Sequence, residues 1–454
     1  MMEQISLLEA AKALGATTNT DAVFDRVAID NRKVQPGALF VCIRGERFDG
    51  HDFAPLAALA GAAAIMAEHP VDAGCPQLLV KNTRRALLDL AGYYRSRFDI
   101  PVVGLTGSVG KTTTKDFTAL VLGAKYNCLK TQGNLNNDIG VPQTLFGLDS
   151  TTGAAVVEMG MNHFGEIHDL VTRVRPTLGM ITNVGVSHIE NLGSREGILR
   201  AKLELVDGLA PGAPLILNGD NDLLQTVHLD DHPVIFVGIE NKDCAYVAEN
   251  IEETELYTTF DIKLAGASCK IKLPTVGIHN VYDALLAFAA GVELGVAPQA
   301  AAEALEAYEP SGMRQKIVHR GGITVVEDCY NASPDSMHAA LKTLMSLPAK
   351  RHIAVLGDML ELGSYAEQAH YEVGRAAAAS GITMLYCYGT DCAHLVQGAK
   401  DAGLADAYLF DNKAALCNAL YGVCTAQDAV LFKGSRGMKL EEVIHFLYER
   451  WANQ

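Results

Sequence analysis

Between positions 106 and 113 the chain reads Thr-Gly-Ser-Val-Gly-Lys-Thr-Thr, and the residues on either side decide what that octet can do. Before it, Ile100-Pro101-Val102-Val103-Gly104-Leu105 has the unbroken apolar character of a strand buried on both faces. After it, Phe117, Leu120, Val121 and Ala124 recur at i, i+3, i+4 and i+7, as on one side of a helix. Strand, glycine turn and helix in that order can cradle phosphate. Glycines let backbone N–H groups approach the oxygens, the helix start adds positive potential, Lys111 reaches the outer phosphates, and a threonine hydroxyl can bind Mg²⁺. The candidate triphosphate contacts are Gly107, Ser108, Gly110, Lys111, Thr112 and Thr113. The spacing departs from the strict phosphate-loop pattern, because Leu105 stands where a glycine belongs. A bland turn with an exposed lysine is the alternative, and the flanking strand and helix weigh against it.

Three further residues could serve the same chemistry. Glu158 ends the short apolar run Ala154-Ala155-Val156-Val157, which puts a carboxylate at a strand end where magnesium bound to nucleotide commonly finds one. The plain alternative is a solvated acid. His188 closes the loop Thr182-Asn183-Val184-Gly185-Val186-Ser187-His188, either as a ligand or as an exposed loop histidine. Lys202 sits on a charged helical stretch, where most lysines are merely solvated. A lysine ammonium would be repelled by a metal, whereas a lysine carbamate is an anion with two hard oxygens, and burial favours the neutral amine that carbamylation needs.

Placing such groups requires strands that end together, and the 454-residue chain supplies them in three stretches. Residues 1–83 read as a small α/β unit, with strands expected at 23–29, 38–43 and 77–80 and an Ala-rich helix from Pro55. Residues 84–311 alternate brief apolar strands at 101–105, 154–157, 179–182 and 214–217 with helices at 112–124 and 197–209, the pattern of a parallel sheet with ligands at its carboxyl edge. After Glu309-Pro310-Ser311-Gly312 the alternation restarts, and residues 312–454 read as a Rossmann-like third domain.

Composition excludes several classes. With 49% hydrophobic and 20% charged residues the chain is an ordinary globular protein. Lys plus Arg number 37 and Asp plus Glu 53, a net charge of −16 that disfavours nucleic acid and anionic membranes. The longest apolar run, 56–67, is too short to span a bilayer, so no membrane association is expected. The ten cysteines are scattered with no CxxC and read as reduced thiols, and Glu3 spoils a signal peptide, so a cytoplasmic location is expected. Neither heptads nor an apolar stripe demand assembly, which makes a monomer the expectation.

Taken together, TGSVGKTTTK at 106–115, GNLNNDIGVP at 133–142, EMG at 158–160, SHIENLGS at 187–194, AKLEL at 201–205 and GIHNVYDALLA at 277–287 resemble the Mur ligase family of ATP-dependent amide-forming enzymes. Three stretches, 30–53, EDCYNASPDSM at 327–337 and GDMLELG at 357–363, make the chain most similar to the member that adds D-alanyl-D-alanine to UDP-MurNAc-tripeptide. The resemblance implies ATP and two Mg²⁺ ions as cofactors. It assigns Lys111 and Thr112 to phosphate and the first metal, Glu158 to the metals, and His188 with a carbamylated Lys202 to the second metal. It also implies that Asn280 contacts adenine, Arg314 the γ-phosphate, Asp328 the ribose, and Tyr330 and Asn331 the base. In residues 1–83 it implies that Asn31, Arg32, Gly45, Arg47 and His51 face the UDP-sugar, and in 312–454 a site for D-Ala-D-Ala. Asn31 stands where the family commonly has Ser, and Asp283 where it often has a second Asn, so Asp283 is left out of the site. Another family ligase, forming the tripeptide or a folylpolyglutamate, and a nucleotide-gated binding protein remain the alternatives.

Overall fold

A computed structural model describes residues 2–18, 20–254, 256–309 and 315–451. Among them the main strands form three sheets, which follow one another along the chain.

The first sheet has the strand order Thr17–Thr18, Gln77–Leu79, Ala64–Ala67, Ala38–Val41, Arg26–Ala28 and is parallel except at Thr17–Thr18. The stretch expected as one strand at 23–29 is two pieces, because Val23–Phe24 leaves the sheet to pair antiparallel with Ile5–Ser6. The apolar run 56–67 is also divided. Helix Ala54–Leu59 stops, Gly61 turns the chain at φ +97°, and Ala64–Ala67 enters the sheet as a buried strand that the sequence reading did not anticipate.

Nine strands make the central sheet, in the order Ala267–Leu273, Thr258–Leu264, Tyr246–Glu253, Val234–Gly238, Leu215–Asn218, Leu178–Ile181, Val102–Thr106, Ala154–Glu158, Cys128–Lys130. From Tyr246–Glu253 to Cys128–Lys130 all neighbours are parallel, as expected. The last two strands correct the all-parallel expectation: Thr258–Leu264 and Ala267–Leu273 pair antiparallel through the tight turn Ala265-Gly266, with φ +30° and +81°. Chain order reverses direction at Val102–Thr106, since Ala154–Glu158 is added on one side and Leu178–Ile181 on the other. A crevice opens at the carboxyl ends of such strands, and that is where α/β sheets bind ligands.

The third sheet runs Lys316–Arg320, Ile323–Asp328, Asp428–Lys433, Arg351–Gly357, Met384–Tyr388, Ala407–Phe410, parallel apart from the edge strand Lys316–Arg320. Every strand expected here is present within a few residues. The helix expected at 197–209 is shorter, Arg195–Leu203, and continues as one 3₁₀ turn, Glu204–Gly208.

Candidate functional site

Helix Lys111–Gly123 begins directly behind the glycine turn, with Gly110 as its cap at φ +80°. No side chain caps it, so its first-turn N–H groups face whatever occupies the turn. Neither glycine tolerates a side chain. A Cβ on Gly107 would lie 1.8 Å from Thr182 Oγ1, and one on Gly110 would lie 2.4 Å from Asp283 Oδ1.

The loop after Leu178–Ile181 holds the turn in shape. Asn183 Oδ1 accepts from the amides of Ser108 at 3.1 Å and Val109 at 2.9 Å, while the Ser108 hydroxyl accepts from Gly185 N at 2.9 Å. Those two amides are therefore spent on the protein, which leaves the helix start and Lys111 as the donors available in the turn. The Lys111 ammonium donates to the carbonyls of Gly107 and Ser108 at 2.7 and 3.3 Å, folded over its own loop.

Glu158, 1% exposed, ends its strand beside this turn. Its Oε2 accepts from the Thr112 hydroxyl at 3.1 Å and its Oε1 from the Asn136 amide at 2.9 Å, with Lys115 Nζ 3.8 Å from Oε2. A hydroxyl and a carboxylate so placed are hard oxygen donors of the type Mg²⁺ takes. Among the described residues no three His, Cys, Asp or Glu side chains gather as a ready metal cage, so a divalent ion here would lean on phosphate and water oxygens as well.

Lys202 answers the question its letter left open. Helix Arg195–Leu203, capped by the Ser194 hydroxyl on Gly197 N at 3.1 Å, carries it inward to 1% exposure. Burial, with the Lys111 cation as a smaller contribution, holds its amine well below the usual lysine range. The shift is toward the neutral amine, the form that carbamylation requires. His188 has a left-handed backbone, φ 64°, and its Nδ1 is buried without a hydrogen bond. Glu361 Oε2 stands 3.0 Å from that nitrogen, out of line for a hydrogen bond. The paired hard oxygens of Thr112 and Glu158 suit a divalent ion, and a buried amine shifted toward its neutral form suits carbamylation at Lys202.

The facing wall comes from the third sheet. Asp328 and Lys433 are register partners at the ends of adjacent strands, and Lys433 Nζ donates to Asp328 Oδ2 at 2.7 Å and to Asn331 O at 3.1 Å. The Arg436 guanidinium lies 6.0 Å over the Tyr330 ring. Helix Ile278–Glu293 supplies the floor. It crosses Lys111–Gly123 so closely that a Cβ on Gly291 would meet Val121 at 2.2 Å. That crossing brings Asn280, whose amide donates to Val276 O at 2.7 Å, and Asp283, which accepts from the Thr114 hydroxyl at 2.8 Å, up to the phosphate turn.

These walls enclose a cavity of about 550 Å³. Of the residues expected from sequence, Ser108, Gly110, Lys111, Thr112, Thr113, Glu158, His188, Asn280, Asp328, Tyr330 and Asn331 line it. Gly107 shapes the turn from behind, and Lys202 stands outside the lining. Arg314 lies outside the described residues. Sequence reasoning missed Asn136, Asn183, Lys433 and Glu361, and it set aside Asp283, which lines the cavity.

None of Asn31, Arg32, Gly45, Arg47 and His51 borders this cavity. Arg32 and Arg47 are exposed, with Arg32 paired to Asp30 at 2.8 Å. His51 is turned inward: Nδ1 bonds Asp49 Oδ1 at 2.5 Å, Nε2 accepts from Glu68 N at 2.9 Å, and the ring stacks on His69 at 4.5 Å. With both nitrogens occupied, this histidine braces its turn and has none left to offer a ligand.

Comparison with known proteins adds a frame. Residues 24–95 match the family model described as Mur ligase family, catalytic domain, residues 105–291 the Mur ligase middle domain, and residues 313–436 the Mur ligase, glutamate ligase domain. The chain is 40% identical over 435 residues to the UDP-N-acetylmuramoyl-tripeptide--D-alanyl-D-alanine ligase of Bacillus subtilis (strain 168), covering 94% of each chain. The crystal structure of MurF from Acinetobacter baumannii superposes with a TM-score of 0.91 at 30% identity over 99% of both chains. The MurF ligase from Thermotoga maritima in complex with ADP superposes with a TM-score of 0.85 at 26% identity over 94% of this chain and 98% of that one.

Proposed function

This chain belongs to the Mur ligase family, and from that membership we infer that it is an ATP-dependent ligase that joins D-alanyl-D-alanine to UDP-N-acetylmuramoyl-tripeptide in peptidoglycan precursor synthesis. One observation carries the reading: likeness to a ligase of that specificity extends through the first and third sheets as well as the nucleotide fold they share with other amide ligases.

The reaction begins with the tripeptide carboxylate attacking the γ-phosphorus of ATP. An acyl phosphate forms and ADP leaves. The amine of D-Ala-D-Ala then attacks the acyl carbon, phosphate departs, and the nitrogen loses its proton. The first step brings two anions together against a repulsion of about 4 kcal/mol at 4 Å and an effective dielectric of 20. Bound Mg²⁺ supplies charge neutralisation there, and Thr112, Glu158, His188 and a carbamylated Lys202 are the residues proposed to hold two ions. The neutral Lys202 amine adds to CO₂, an N–C bond forms and a proton leaves. Lys111 adds its charge at the outer phosphates, and Asn136 and Lys115 fix the Glu158 carboxylate. Asn280, Tyr330 and Asn331 are assigned to the base, Asp328 to the ribose and Arg314 to the γ-phosphate. Walls drawn from two sheets keep water from the acyl phosphate.

Residues 1–83 are proposed to hold the UDP-sugar through Asn31, Arg32, Gly45 and Arg47, with His51 shaping the turn. Residues 84–311 are proposed to bind ATP and 312–454 to close the site over D-Ala-D-Ala. No helix among the described residues is long and apolar enough to cross a membrane. A cytoplasmic monomer is the proposed state.

Phosphate release tests the reading. With ATP and UDP-MurNAc-tripeptide present, D-Ala-D-Ala is expected to yield equimolar phosphate and pentapeptide product, and a single amino acid none. Phosphate release that ignores both substrates would overturn it in favour of a nucleotide-gated binding protein.

A further inference from the structure

The loop that carries His188 into the cavity is gripped by side chains of the C-terminal unit. Asp335, in helix Pro334–Ser346, lies so close to Gly185 that a Cβ there would stand 2.1 Å from its Oδ2. Glu190 packs over Gly363, where an added Cβ would fall 2.6 Å from Glu190 Cγ. Between these points Glu361 Oε2 meets His188 Nδ1 at 3.0 Å. Glu361 and His188 share an uncommon backbone, each with φ 64°, a left-handed conformation that non-glycine residues rarely adopt. Two such residues touching across the boundary between sheets mark a contact kept against local preference. Both line the cavity that also holds Lys111 and Glu158.

We propose that Glu361 is a positioning residue, which sets the His188 ring toward the phosphate end of the cavity only when the C-terminal unit is docked. The inference rests on the ligase reading of this site and extends it. Nδ1 is satisfied by neither backbone nor side chain, so without a neighbour the ring is free to turn about its side-chain torsions. A carboxylate delivered from the third sheet couples its orientation to closure, and a substrate that closes the units thereby also readies the metal side.

The test compares the full chain with Glu361→Ala, Glu361→Gln and Glu361→Asp. The Glu361 side chain is 63% exposed, and Gln keeps its volume, so a folding failure in Ala leaves Gln to decide. Hydrogen exchange on the ligand-free chain reads the contact. Peptides spanning 183–193 are expected to exchange about fivefold faster in Ala and Gln, with peptides spanning 102–123 unchanged. Turnover is expected to fall about tenfold in both, with KM for ATP within about twofold of the parent and partial recovery in Asp. Unchanged exchange at 183–193 overturns the proposal, as does faster exchange with unchanged turnover. A loss seen only as a raised KM for ATP overturns it too. Failure of the ligase reading shows separately, as a parent that makes no pentapeptide while exchange still responds to Glu361.

Discussion

Two lysines are buried near the phosphate turn, in opposite surroundings. Lys115, 2% exposed, has Asp116 Oδ1 at 3.7 Å and Glu158 Oε2 at 3.8 Å, and donates to Gly133 O at 3.4 Å. Lys202, 1% exposed, has no hydrogen bond or ion pair among the described residues, and the charge acting on it is the like charge of Lys111. A buried cation with carboxylates around it is compensated, and it fixes those carboxylates in turn. A buried amine without them holds its proton less firmly, which shifts it toward the neutral form. One lysine therefore braces Glu158, and the other is buried with no partner of opposite charge among the described residues.

Replacing Lys202 gives the largest expected effect. Lys202→Met is expected to lower turnover by about 10²–10³-fold, the usual cost of removing a group that stabilises transferring charge. It should also abolish a carbamate resonance in ¹³C spectra taken with labelled bicarbonate. Stability moves the other way. A lysine whose folded value is depressed costs the fold most below that value, and the cost fades as pH rises toward the unfolded value of 10.5. Without CO₂, Lys202→Met should thus melt higher than the parent near neutral pH, with the gap closing as pH approaches that value. A gap that widens instead would break the comparison.

The compensated lysine predicts the opposite. Lys115→Met leaves Glu158 buried with its Thr112 and Asn136 bonds but without its cation, and about 3 kcal/mol should be lost in urea unfolding. The lower end of the range applies because Asp116 keeps Lys130 at 2.8 Å. Equal stability changes in Lys115→Met and Lys202→Met would show that the two environments are energetically the same.

What the sequence made legible was whatever lies close together along the chain. The phosphate turn could be read because its strand, glycines and helix adjoin, and Glu158 because it ends a recognisable strand. Lys433 could not, because only the pairing of Asp328 with Lys433 across two strands 105 residues apart brings it to the cavity. Asp283 was set aside on a family pattern, yet the close crossing at Gly291 and Val121 carries it to Gly110. Strand Ala64–Ala67 was hidden by alanines, which carry no strand preference, and its one local sign was the turn at Gly61. The antiparallel strands 258–264 and 267–273 did leave a trace in alternating residues around Ala265-Gly266, which the reading passed over. His51 shows the converse: its motif pointed to a ligand, and three-dimensional neighbours absorbed both nitrogens.

The smallest expected effect lies one residue before Lys115, on the same compensated wall. Thr114 donates to Asp283 Oδ1 at 2.8 Å, and both are buried. Thr114→Val keeps the shape and removes the donor, so a carboxylate loses one hydrogen bond in a low-dielectric setting, worth about 1.5–3 kcal/mol. The lower figure is expected, because Asp283 keeps a further interaction. Unfolding in urea should show a lower midpoint with an unchanged slope, since the surface exposed is the same. Asp283 also presses on Gly110, so a loosened carboxylate should raise KM for ATP by a few-fold while turnover holds. If turnover falls instead, Asp283 acts on the reacting phosphate, and the division between the two lysine surroundings would have to be redrawn to put Asp283 with Lys202.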